Sequence, residues 1–141
     1  MMPKASVGRS SDERATGRSG EDLMRYLCLI YEEEKNWATM SEAEGNAIMG
    51  EYFAFTEGVK KSGHYVGGEA LQPTSTASSV RVRQGKTSTT DGPFAETKEQ
   101  LGGYYLIEAR DLNDAIQVAA RIPGARTGTV EVRPIQDFSQ A

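Results

Sequence analysis

The residues best equipped for chemistry are His64 and Asp91. His64 is the single histidine of the chain and follows Gly63 directly. Asp91 opens a Gly92-Pro93 turn. Where an imidazole and a carboxylate meet, the carboxylate accepts the Nδ1 proton, fixes the tautomer and leaves Nε2 free to act as a base. Three neighbours of Asp91 could complete a site: Phe94 as a pocket wall, Glu96 as a second acid–base group, and Lys98 as an anchor for an anionic substrate. Each has a plainer alternative. His64 could be an exposed loop residue and Asp91 a turn cap. Phe94 could be a small core plug, and Glu96 and Lys98 part of a solvated charged loop.

Other candidates carry less. Cys28 sits in an apolar run, where a thiol packs as a small hydrophobe. Trp37 lies in a loop between an acidic stretch and the first helix, a place for a lid, an interface anchor or a partly buried aromatic. Gly102-Gly103 permit close backbone approach to a ligand or to a neighbouring strand, and the strand is favoured. Tyr104 and Tyr105 point to opposite faces of their strand, one of them into the core.

The elements that must hold these groups follow from periodicity. Met24–Tyr31 is almost continuously apolar and reads as a buried central strand. Ser41 and Glu44 form a capping box. Ile48, Tyr52, Phe55 and Val59 follow at helical spacing, with Met49, Phe53 and Thr56 widening the stripe, so the spacing predicts a helix over Glu42–Ser62. Strands are predicted at His64–Leu71, Ser79–Arg83, Lys86–Thr90, Gly102–Ala109 and Thr129–Ile135, with Gln84-Gly85 as a hairpin turn. Asp111 caps a predicted helix over Leu112–Arg121, with Leu112, Ala115, Ile116 and Ala119 on its apolar face.

This is an α+β order: ferredoxin-like, with an inserted β-hairpin. Its two helices cover one sheet face. Yet both faces of the first strand are apolar, with Tyr26, Cys28 and Ile30 on one and Leu27, Leu29 and Tyr31 on the other. A second apolar surface is therefore expected on the uncovered side, hence a homodimer.

Composition narrows the classes. The 141 residues suit one domain, expected over residues 24–141. Residues 1–23 are polar and lack any apolar run, so a disordered extension is expected there. The net charge is −4, and residues 1–23 carry equal numbers of basic and acidic side chains, so the excess belongs to the domain. An acidic surface repels phosphate backbones, and direct nucleic-acid binding is not expected. No apolar stretch approaches the roughly 20 residues needed to cross a bilayer, and no apolar signal core follows the N-terminus. A lone cysteine excludes an intrachain disulfide and fits a reducing, cytoplasmic setting. One His and one Cys do not make a zinc set, and phosphate loops, dinucleotide fingerprints and the serine-hydrolase elbow are missing from the sequence. No metal and no cofactor are expected.

The run Asp91-Gly92-Pro93-Phe94-Ala95-Glu96-Thr97-Lys98-Glu99, followed by Gly102-Gly103-Tyr104-Tyr105, resembles the signature of the DGPF branch of the YCII-related proteins. Gly67–Leu71 and Val130–Pro134 fit the same pattern, and the likeness runs from Met24 to about Asp137. The resemblance implies a dimeric α+β barrel and a suspected active site of one histidine and one aspartate, here His64 and Asp91. It also implies kinship with partners of alternative sigma factors.

Three functions are consistent with these observations. The first is a cofactor-independent enzyme acting on a small polar metabolite. In it, His64 moves a proton, Asp91 orients it, and Phe94, Glu96 and Lys98 shape the site. The second is a non-catalytic small-molecule binder or regulatory module with a protein partner. The third is an assembly module that matters only as a dimer.

Overall fold

A computed structural model describes residues 22–140. The extension expected over residues 1–23 lies almost wholly outside the described residues, as does Ala141. The chain runs β1 (Met24–Glu32), α1 (Glu34–Ala38), α2 (Glu42–Lys61), β2 (Tyr65–Ala70), β3 (Ser78–Arg83), β4 (Lys86–Asp91), β5 (Gln100–Ala109), α3 (Leu112–Ala119) and β6 (Thr129–Pro134). Strands β2, β5, β1 and β6 form a four-stranded sheet in that order, with every neighbouring pair antiparallel. Strands β3 and β4 form a separate two-stranded sheet. No helix among the described residues is long and apolar enough to cross a membrane.

β1 is central because it is apolar on both faces. Tyr26, Cys28 and Ile30 are buried beneath the helices, and Cys28 pairs with Tyr105 on one side and Val132 on the other. The alternate residues Leu27, Leu29 and Tyr31, with Tyr104 and Leu106 of β5, lie half-buried on the face away from the helices. Tyr105 is the core tyrosine of its pair. Its hydroxyl is 2.7 Å from Thr56 Oγ1, and its ring meets Phe55 edge-on at 5.0 Å.

The α2 capping box forms as its residues require: Glu44 N–H donates to Ser41 Oγ, and Ser41 N–H donates back to Glu44 Oε1, both at 3.1 Å. Its buried stripe is Tyr52, Phe55, Thr56 and Val59, while Phe53 is exposed. Gly63, at φ +83°, turns the chain out of the helix.

Two expectations need correction. Trp37 lies on the short helix α1 and not in a loop. In α3 the buried face is Asp114, Ala115, Val118 and Ala119, while Leu112 and Ile116 are about half exposed. The helix ends at Ala119, so Ile122, just beyond it, reaches the core as part of a 3-10 turn entry.

The β3–β4 hairpin closes on Gln84-Gly85, with φ of +52° and +76°, as a turn with positive φ at both central residues does. At its base, Gly92 N–H donates to Ala77 O and Ser79 Oγ–H to Gly92 O. Val80 and Val82 stay exposed.

At the start of β5 the pairing with β1 slips between Ile30 and Tyr31, leaving Gly102 as the extra residue. Its carbonyl accepts Leu71 N–H at 2.9 Å. Gly68 is pressed closer still: a Cβ there would stand 2.7 Å from Tyr104 O.

Candidate functional site

His64 enters its position as the residue that ends α2 and opens β2. Its N–H donates to Val59 O, and its carbonyl accepts Glu108 N–H at 2.8 Å. The side chain is buried. Nδ1 lies 2.6 Å from Ser62 Oγ, and Nε2 lies 3.2 and 3.3 Å from the two Asp114 carboxylate oxygens. Arg110 N–H also donates to Asp114, and the Arg110 guanidinium stands 3.5 Å away. Burial alone would raise the Asp114 carboxyl. The Arg110 amide, the His64 ring and the Arg110 guanidinium outweigh it and hold the group at about 2.

Serine, imidazole and carboxylate thus follow one another as in a nucleophile relay. Ser62 Oγ also hydrogen-bonds to Val59 O within its own helix end. Neither of the two cavities described below has a wall from Ser62, His64 or Asp114. The trio joins the end of α2 to the start of α3.

Asp91 lies elsewhere. It is the last residue of β4, exposed, and paired with Ser78 across the hairpin. It faces an open cavity of about 820 Å³, together with Glu96 and Lys98 of the following loop, Glu33 and Lys35 of the β1–α1 corner, and Gln100. Asp91, Glu96 and Lys98 thus line one cavity, with Pro93 in the same wall. Phe94 is not: it is 83% exposed and lines neither cavity. Gly92, at φ +97°, takes a conformation that suits glycine.

The expected pairing of His64 with Asp91 does not form within one chain. His64 bonds to Glu108 near the end of β5, is buried, and meets Ser62 and Asp114, whereas Asp91 is exposed and shares a cavity wall with Gln100 at the start of β5. The carboxylate that His64 meets is Asp114, on the buried face of α3 beside the apolar stripe that the sequence predicts.

A second cavity, of about 500 Å³, lies beside the first. Ile30, Tyr52, Leu71 and Pro73 supply much of its apolar wall, with Trp37 of α1 and Gly102 at the β5 slip also lining it. Glu34 and Gln100 line both cavities and form the partition. That partition is well tied. Thr74 donates to Glu34 through its N–H and its hydroxyl, both at 2.7 Å. Glu34 N–H donates to Gln100 Oε1 at 2.9 Å, and Gln100 Nε2 donates to Thr97 O. Glu32 accepts the Trp37 indole N–H at 3.1 Å and the Thr127 hydroxyl. Burial, and after it the Glu32 charge, push the Tyr52 phenol well above its ordinary range.

Sequence reasoning missed Glu32, Glu34, Tyr52 and Gln100 as site residues. The acidic run after β1 was legible, but it reads equally well as a strand boundary. No group of three or more His, Cys, Asp or Glu able to hold a metal ion occurs among the described residues. Cys28 is fully buried and burial pushes its thiol up to about 12, which suits packing and not nucleophilic attack.

Against known proteins, the YCII-related domain matches residues 24–139. An uncharacterized protein of Rhizobium meliloti (strain 1021) is 37% identical over 114 residues, which cover 79% of this chain and 92% of that protein.

Proposed function

The chain belongs to the YCII-related family, and on that premise we propose that it is a small-molecule-binding protein whose ligand occupies the 500 Å³ cavity under Trp37. The observation that carries this reading is the cavity itself. Its volume falls in the range of about 300–1,000 Å³ usual for small-ligand sites. Its walls are largely apolar, and its few polar groups are fixed by hydrogen bonds, as specific recognition requires. The neighbouring cavity at Asp91, Glu96 and Lys98 is the polar antechamber, able to hold the hydrophilic end of a ligand or to admit it.

Trp37 is the single tryptophan of the chain and a cavity wall, so its fluorescence tests the proposal directly. A metabolite library screened on the full chain should give ligands that shift Trp37 emission and raise the melting temperature. Leu71→Trp fills the cavity, and Leu71→Phe together with Ala70→Val fills it without a second indole. Hits that bind these variants as well as the wild type would place the ligand elsewhere and defeat the reading.

The strand order β2-β5-β1-β6 around two long connections is that of ferredoxin-like domains, and the half-buried sheet face supports a second copy packed against it in a dimeric barrel. An acid–base pair of His64 and Asp91 is not carried into this proposal, because within one chain His64 meets Ser62 and Asp114, and Asp91 is exposed at the base of the hairpin.

A further inference from the structure

The charge inside the smaller cavity is unmatched. Glu32 and Glu34 both line it, and no Lys, Arg or His does. Each carboxylate is held by neutral donors: Glu32 by Trp37 and Thr127, Glu34 by Thr74. No ion pair to either is formed among the described residues. Lys35 and Arg126 do not line the cavity and are engaged elsewhere, Lys35 with Glu33 at 3.0 Å and Arg126 with Glu51 at 2.5 Å. Both carboxylates are half-buried at a largely apolar wall, a setting that favours a positive group bound against them.

A second observation points to an occupant. Tyr52 is only 2% exposed and lines the same cavity. Its oxygen accepts Gly124 N–H at 3.1 Å, but its own proton has no acceptor among the described residues. Buried hydroxyls normally find one. Trp37 and Tyr52, both lining residues, are also of the aromatic type that attracts cations.

We propose that this cavity takes a small organic cation: a protonated amine on an apolar stem that also carries an oxygen acceptor. The ammonium sits against Glu32 and Glu34, the stem runs along Ile30, Leu71 and Pro73, and the oxygen receives the Tyr52 proton. Anionic ligands are excluded from this chamber and confined to the side of Lys98. The inference rests on the proposed ligand site and narrows it to a chemical class.

The test uses aminohexanol, hexanediol and hydroxyhexanoate, which share a six-carbon stem and a hydroxyl and differ in charge. Each is titrated into the full chain with Trp37 emission as readout. The expected result is a Kd for aminohexanol at least tenfold below that for hexanediol, with no saturable response to hydroxyhexanoate. Glu32→Gln and Glu34→Gln should each shrink the ratio of the aminohexanol and hexanediol affinities several-fold, and cooperative urea unfolding of each variant is the control for folding. Equal affinities for aminohexanol and hexanediol, or tightest binding of hydroxyhexanoate, would overturn the charge assignment while leaving the ligand site in place. No response to any of the three would remove the site, and this inference with it.

Discussion

Asp114 is where a single residue has a measurable consequence for the fold. Its folded-state carboxyl is held at about 2, below the ordinary value of 3.8. A depressed carboxyl stabilises the native state above its unfolded pKa and loses that contribution as pH falls through the folded one. Acid unfolding should therefore show a component between about pH 4 and pH 2, worth roughly 2 kcal/mol, that disappears in Asp114→Asn. The substitution should itself cost about 1–3 kcal/mol in urea titrations at pH 7, since a buried imidazole loses its charged partner. A pH profile unchanged by Asp114→Asn would show that His64 and Arg110 do not hold this group. His64 itself was legible as a residue with an unusual position, directly after a helix stop. Its partner was not, because a carboxylate on the first turn of a helix looks like an ordinary dipole complement until the sheet brings it 50 residues back to the imidazole.

At the scale of elements, the hairpin β3–β4 stands out for what it does not support. All its residues but Ser79 are exposed, and it pairs with no strand of the main sheet. Replacing residues 79–90 by a short Gly-Ser turn is expected to leave the far-ultraviolet spectrum and the cooperative unfolding of the main sheet in place, with melting within a few degrees of wild type. Loss of cooperative folding would show that the hairpin is part of the core. Its existence and register were easy to read, since Val-Arg alternation and Gln84-Gly85 are local signals. The long strands and α2 were readable for the same reason: period and caps lie within the segment. Helix α1 escaped notice because five residues make barely more than one turn, too short for a stripe to emerge. The α3 face was misjudged because Leu112 and Ile116 are apolar in type, and only the packed sheet decides that Val118 goes inside and they do not.

For the molecule as a whole, the sheet has one covered face and one bearing Leu27, Leu29, Tyr31, Tyr104 and Leu106. The proposal of a second copy on that face predicts a dimer in sedimentation at micromolar concentration. Leu29→Asp combined with Leu106→Asp should yield folded monomers, because both residues lie on the side away from the helices. A wild type that sediments as a monomer would end that proposal. The apolarity of β1 on both faces made this surface visible before any coordinates, whereas the cavity was not visible at all. No stretch of chain contains it.

That dispersal has its own consequence. The chamber under Trp37 draws its walls from the ends of β1 and β5, from α1, from the middle of α2 and from the segment after β2. An unfolded or half-assembled chain therefore has nothing to offer a ligand, so whatever binds there binds the finished molecule alone. At a hundred times its dissociation constant, such a guest adds about 2.7 kcal/mol to the free energy of unfolding. The persistence of this protein would then rise and fall with the supply of its guest.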